Sequence, residues 1–360
     1  MPTPMVVPVP RTVPVPRTQA SRALRTALGS LCLGVALAGC VDHGGAVDGH
    51  LRLGMVTDTG GLGDRSFNDS AYGGLLRAKT ELGARITVVQ SRSAADYQPN
   101  LIVLSNKGFD LIFGIGFLMA KDLTDVAVRF PARRYGIIDA VVDEPNVTSV
   151  TFREEQGSFL AGAAAAMVSK THQIAFLGGV DIPLLRKFEV GFTAGAREID
   201  PSIKVSVKYI GSFEDVAAGK ELAGVLYDQG ADIIFAAAGK GGVGAIDQVR
   251  ARSGVYVIGV DADQDALVPG KILTSMIKHV DRGVFLMARR LARHEPVGGH
   301  VILGLKEGGV GLTDFRYTRS VMTPARIAKL RVIETQLENG TIVAPSTREE
   351  LATFKPVPLP

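Results

Sequence analysis

From residue 51 onward, short apolar runs alternate with longer stretches whose apolar positions recur at helical spacing. The runs "LRLGMVT" (51–57), "RITVVQ" (85–90), "LIFGI" (111–115), "YGIID" (135–139) and "NVTSVTF" (146–152) predict strands. Helices fit between them at about 67–82, 94–107 and 118–129. A second cycle follows "REEQGSFLAGAAAAMVSK" (153–170), which predicts a helix. Its strands are "QIAFLGG" (173–179), "KVSVKYIG" (204–211), "DIIFAAA" (232–238), "VYVIGV" (255–260) and "ILTSMIK" (272–278). Alternation of this kind predicts an α/β protein with parallel sheets, and two cycles predict two similar lobes, each a parallel sheet flanked by helices.

In such sheets ligands gather at the carboxyl ends of the strands. With two lobes, those ends would face one another across a cleft. After the first strand comes "DTGGLGDRSFND" (58–69), and the fourth ends in Asp139. The sixth opens into "GGVDIPLLRKFEVGF" (178–192), the ninth is followed by Asp261, and the tenth ends in Lys278. The eighth runs into "AAAGKGGVGAID" (236–247), which resembles a phosphate-binding loop at first sight. A phosphate loop needs a lysine directly after the glycines and a Ser/Thr for magnesium. Here the run ends Gly244-Ala245-Ile246, with Lys240 inside it, so the nucleotide-hydrolase reading is weak. The expectation that survives is a glycine turn bringing a ligand close to the main chain.

Composition changes the picture in one respect. The formal charge of +4 suggests nucleic acid, but the first 39 residues hold Arg11, Arg17, Arg22 and Arg25 and no acid. Without those four, 36 basic residues balance 36 acidic ones, so charge gives no ground for a nucleic-acid partner. The leader has its own logic. Arg22 and Arg25 precede the apolar run 27–39, too short for an ordinary spanning helix, and it ends Leu37-Ala38-Gly39-Cys40. This resembles a bacterial lipobox. It implies a signal peptide over 1–39, a lipid on Cys40, a flexible tether over 40–50 and an extracytoplasmic, membrane-anchored protein. Cys32 would be excised, leaving no disulfide. The six histidines show no metal spacing and no G-x-S-x-G occurs, so neither a cofactor nor catalysis is expected.

Several stretches together resemble the Bmp/PnrA-type family of basic membrane lipoproteins, the nucleoside-binding subunits of ABC importers. They are "VTDTGGLGDRSFNDSAYGGL" (56–75), "GIGF" (114–117), "YGIID", "EEQGSFLAGAAAA" (154–166), "KFEVGFTAGA" (187–196), "IGVDADQ" (258–264) and "LTSMIKHVD" (273–281). The resemblance implies a two-lobed, periplasmic-binding-protein type I-like fold joined by three crossings. One lobe would take 51–153 and about 277–300, the other 154–276 and about 301–360. Phe67 and Phe188 would stack on the two faces of a purine. Asp58, Asn68 and Asp139 would face the base edge, while Asp261 and Lys278, with backbone near Gly239, would hold the ribose. The implied partners are guanosine, inosine or adenosine, an ABC permease and its ATPase subunits. Family members usually carry a small residue or another glycine near Lys240, and this chain departs there. Alternatives are a binding protein for a free sugar or other small polar metabolite, a surface-anchored nucleoside-processing enzyme, or a ligand sensor. Each residue also has a plainer reading. Phe67 could be core, with Ser66 as the cap of its helix; Phe188 and Phe192 could form one core stripe. Asp139 and Asp261 could cap turns, and Lys278 could be a surface charge.

Overall fold

The structure is a computed structural model that describes residues 49–357, so the leader and Cys40 lie outside the described residues. The first cycle forms β1 (Arg52–Val56), α1 (Phe67–Leu82), β2 (Arg85–Val89), α2 (Tyr97–Asn106), β3 (Leu111–Ile115), α3 (Ala120–Arg129), β4 (Tyr135–Ile138) and β5 (Val147–Phe152). The second forms α4 (Glu154–Val168), β6 (Gln173–Gly178), α5 (Pro183–Ile199), β7 (Lys204–Tyr209), α6 (Val216–Asp228), β8 (Ile233–Ala237), α7 (Gly241–Arg250), β9 (Tyr256–Asp261) and β10 (Ile272–Lys278). The remainder adds α8 (Val280–Ala292), β11 (Gly299–Leu303), β12 (Val310–Leu312), α9 (Pro324–Glu338) and α10 (Arg348–Thr353).

Two six-stranded sheets result, ordered β11-β5-β4-β3-β1-β2 and β12-β10-β9-β8-β6-β7. Every pairing is parallel except β10 with β12. Stripped of their late edge strands, both sheets have the same doubly wound order, with the reversal between β1 and β3 in one and between β6 and β8 in the other. The central strands β3, β4 and β8 are buried at every position, as helices on both faces require. Edge strand β7 alternates exposed and half-buried positions instead.

The sheets are linked by three passages, between β5 and α4, between β10 and α8, and between β11 and β12. α8 packs against α1 and β4 of the first lobe, whereas α4, α5 and α9 pack on the second. A continuous apolar core runs through α1, α8, α4 and α5 and the sheet faces beneath them, with smaller clusters under α2/α3 and under α6/α7. α4 and α5 touch backbone to backbone: a Cβ on Gly162 would lie 1.9 Å from the Phe192 carbonyl oxygen, and one on Gly195 1.9 Å from that of Phe159. That contact seats the start of α4, with Glu154, deep beneath the cleft.

Candidate functional site

One cleft collects the strand ends of both lobes. Asp58, Phe67, Asn68 and Asp139 line it from the first lobe, and Phe188, Gly239, Asp261 and Lys278 from the second. All eight residues singled out from the sequence meet there, around about 670 Å³ of empty space counted to the mouth. Five of the eight follow β1, β6 or β8, strands at the reversal points of the two sheets, where the doubly wound order leaves a crevice.

The loop after β1 is organised by a carboxylate that the sequence reading passed over. Asp64 accepts the backbone N–H groups of Ser66 (2.9 Å), Asn68 (2.8 Å) and Asp69 (3.1 Å), and so caps α1. Ser66 sits at the cap position but makes no capping hydrogen bond, contrary to its plainer reading. Its hydroxyl reaches across the cleft to Asp261 Oδ2 at 2.5 Å. Asn68 is equally committed. Its Nδ2 donates to Asp58 Oδ1 (2.7 Å) and Asp64 Oδ2 (3.0 Å), and its Oδ1 accepts from the Asp58 N–H (3.3 Å). Both amide protons are taken, so Asn68 holds Asp58 in place and has no donor left for a ligand. Asp58 keeps its Oδ2 clear of these bonds.

Asp139 and Asp261 occupy equivalent places, just past β4 and at the end of β9, and both have left-handed backbones (φ 69° and 64°). Such a conformation is uncommon for a residue with a side chain and collects at functional sites. Neither caps a turn. Asp139 Oδ2 accepts from Lys278 Nζ at 2.6 Å, while its Oδ1 is buried without a partner. Lys278 is 2 % exposed, which rules out a surface charge. Its ammonium also lies 3.2 Å from Glu154 Oε1, a contact without hydrogen-bond geometry, and 5.2 Å and 5.6 Å from the ring centres of Phe67 and Phe188. Phe192, by contrast, is wholly core and packs on Phe235. Of that pair, Phe188 alone lines the cleft.

Burial pushes Asp58, Asp139 and Asp261 each up to about 6. For Asp139 and Asp261 the nearby Lys278 ammonium opposes the rise; for Asp58 the Asn68 amide and Gly60 N–H do. Burial would lower Lys278, but Asp139, Glu154 and Asp261 outweigh it and hold the ammonium above its ordinary range.

The glycine run does something other than grip phosphate. The N–H groups of Gly241, Gly242 and Val243 donate to the carbonyls of Phe213, Gly239 and Lys240, at 3.0, 3.0 and 3.1 Å. The first three N–H groups of α7 are thus taken, while those of Gly239 and Lys240, in the turn before it, make no hydrogen bond among the described residues. Its glycines answer to packing: a Cβ on Gly244 would lie 2.2 Å from the Val216 carbonyl oxygen, on the neighbouring α6. Gly239 (φ 55°) and the exposed Lys240 do line the cleft, as expected of the turn itself.

Comparison with known proteins decides the family. A family model described as ABC transporter substrate-binding protein PnrA-like matches residues 52–347. The chain belongs to that family. An ABC transporter nucleoside-binding protein, BmpA of Lactococcus lactis subsp. cremoris, is 36% identical over 86% of this chain and 95% of its own. Basic membrane protein A1 of Borrelia garinii subsp. bavariensis is 37% identical over 84% and 90%. Among solved structures, an ABC transporter solute-binding protein from Aeropyrum pernix K1 superposes with a TM-score of 0.77 at 28% identity, covering 84% of this chain and 96% of that one. This is therefore an ABC transporter substrate-binding protein with a periplasmic-binding-protein-like fold, from a family of extracytoplasmic proteins. Among the described residues no helix is long and apolar enough to cross a membrane.

The sequence reading missed several residues of the cleft and its support. Phe117 and Leu118 follow β3, and Phe213 lies in the loop beyond β7. The strand-end rule points to both loops, had all ten ends been followed. Glu154 stood inside a quoted motif, but a glutamate opening a helix looks like a dipole partner until the fold brings Lys278 to it.

Proposed function

We propose that this substrate-binding protein captures a purine nucleoside between its lobes and hands it to an ABC permease served by ATPase subunits, while a lipid on Cys40 holds it to the membrane. The observation that carries the reading is the cleft's excess of acceptors over donors between two phenylalanines. Asp58 Oδ2, Asp139 Oδ1 and Asp261 carry lone pairs outside the cleft's internal hydrogen bonds described above, and the Asp139 oxygen is buried. A neutral ligand rich in N–H and O–H groups, with a flat aromatic part, complements them. Purine nucleosides have that form, and the name of the Lactococcus relative agrees.

The roles follow from what each group has left. Phe67 and Phe188 cover the faces of the base. Asp58, held by Asn68, accepts from the base edge, so bases with a ring N–H, guanine and hypoxanthine, fit better than adenine. Asp261 accepts a ribose hydroxyl, and Lys278, whose ammonium gives Asp139 one of its three protons, donates another to the sugar. A 5′-phosphate would meet a ring of carboxylates, with Lys240 and the N–H groups of its turn at the mouth to balance it.

Calorimetric titration of the purified protein, stripped of any co-purified ligand by unfolding and refolding, tests this. Guanosine and inosine are expected to bind at about 1 μM or tighter, roughly −8 kcal/mol. GMP and ribose are expected to bind at least about 100-fold more weakly, since each adds uncompensated charge or lacks the stacked base. Equal binding of ribose and inosine would replace the nucleoside with a sugar, and free hypoxanthine accumulating from inosine would make the protein an enzyme.

A further inference from the structure

We infer that Ser66 and Gln264 form a clasp between the lobes and that Asp261 couples it to ligand, one carboxylate oxygen serving the opposite lobe and the other the cleft. The inference rests on the placement of ligand in this cleft, and the clasp itself stands on protein contacts alone.

Two side-chain donors bridge the loop before α1 and the segment around the end of β9, with Ser66 Oγ also 3.4 Å from the Val260 carbonyl oxygen. Ser66 Oγ donates to Asp261 Oδ2 at 2.5 Å, and Gln264 Nε2 donates to the Arg65 carbonyl at 2.9 Å. Both halves are shaped before they meet. On the first lobe, Asp64 and Asp69 take the N–H groups of Ser66 and Arg65. Asp64 thereby relieves Ser66 of capping and leaves its hydroxyl free to cross. Arg65 is left-handed (φ 53°), a conformation a non-glycine residue holds only when its surroundings impose it. On the second lobe, Gln264 is 3 % exposed and pinned at both ends. Its Oε1 accepts the Val260 N–H at 3.0 Å, and its own N–H donates to Ser275 Oγ at 3.1 Å.

The consequence is conformational. When the lobes part, Asp261 loses the Ser66 donor and is solvated; when they close, it is desolvated and needs every donor it can find. A ligand hydroxyl on its second oxygen supplies one and Ser66 the other. Ser66 is therefore a positioning residue: it aims the Asp261 carboxylate and makes the closed form the one that completes the site. The clasp joins chain segments about 200 residues apart, beside the passage between β10 and α8, where Asp261 is in register with Ile277, and parting the lobes separates its two halves.

Ser66→Ala, Ser66→Thr and Gln264→Ala in the full-length protein test this by two readouts. Hydrogen exchange of the unliganded protein is expected to quicken several-fold in the segments 62–70 and 258–268 of Ser66→Ala and Gln264→Ala, with β3 and β8 unchanged. Stopped-flow binding of inosine is expected to show faster dissociation and an affinity loss of about 10- to 100-fold in Ser66→Ala, the range for a hydrogen bond to a charged group, with association little altered. Ser66→Thr, which keeps the hydroxyl, is expected to restore both. Unchanged exchange in Ser66→Ala would overturn the clasp, as would an affinity loss that threonine does not rescue. Failure of the wild-type protein to bind inosine would remove the nucleoside reading and leave the exchange experiment to decide the clasp.

Discussion

At the scale of single residues, the unusual feature is an ammonium sealed among carboxylates and rings. Lys278 faces Asp139 and Glu154 directly, with Asp261 close enough to raise its proton affinity, and the rings of Phe67, Phe152 and Phe188 close the remaining sides. Desolvating such a group is unfavourable, and the carboxylates offset it only while all remain in place. Glu154 adds a second strut, since Lys187 Nζ lies 3.2 Å from its Oε2 and ties it to the residue beside Phe188. Removing the lysine would strand Asp139 and Asp261 with no counter-charge and leave Glu154 with Lys187 alone. Lys278→Met is therefore expected to lower stability at pH 7 by about 3–5 kcal/mol, the range for breaking a buried ion pair from one side. Urea unfolding checks this. The loss is expected to shrink as pH falls from 7 through about 6, since Asp139 and Asp261 take up protons near 6 even beside the lysine and higher without it; a loss independent of pH would mean the lysine acts by packing alone.

At the scale of elements, the helix pairs are set by glycines. α4 meets α5 at Gly162 and Gly195, and α6 meets α7 at Gly219 and Gly244, with backbone atoms in the space a Cβ would fill. Gly195→Ala is expected to lower the denaturant midpoint by about 1–3 kcal/mol equivalent, as overpacking does. It is also expected to weaken ligand binding, because α5 carries Phe188 and α4 carries Glu154. An unchanged midpoint would show that the helices part at no cost. These contacts also explain what the sequence disclosed and what it hid. The ten strands of the two cycles were legible because β-branched and apolar runs bounded by glycine or aspartate have no other stable use. β11 and β12 were not: "GHVIL" is mostly exposed, and three residues of "VGL" carry no period. Strand ends fixed by topology made Asp139, Asp261 and Lys278 legible and marked the stretches that hold the other five cleft residues, which the family resemblance then picked out. Asn68 as support rather than reader, Ser66 as clasp rather than cap, and the α7 glycines as spacers were not legible, because each depends on where a partner distant in sequence comes to rest.

At the scale of the whole molecule, the cleft should couple ligand, closure and protons. Asp58, Asp139 and Asp261 sit at about 6 in the folded protein against an ordinary 3.8, driven by burial. A raised carboxylate favours folding fully below its unfolded value, and that contribution is lost as pH rises through the folded one. Their share of the empty protein's stability therefore falls between about pH 4 and pH 6, and Glu155, pushed by burial up to about 7, extends the fall toward neutrality. A nucleoside reverses the balance inside the cleft, because its N–H and O–H groups favour the ionised carboxylates. Binding is then expected to expel protons near pH 6, and affinity to rise between pH 5 and pH 7 by about tenfold for each carboxylate that must ionise. Lys278, held above its ordinary range, keeps its proton throughout and does not contribute in that window. Calorimetry of inosine binding at pH 6 in two buffers of different ionisation enthalpy measures the released protons directly. Equal heats in both, with affinity flat from pH 5 to pH 7, would mean that the ligand touches none of the three carboxylates and that the cleft is shaped for a ligand of other chemistry.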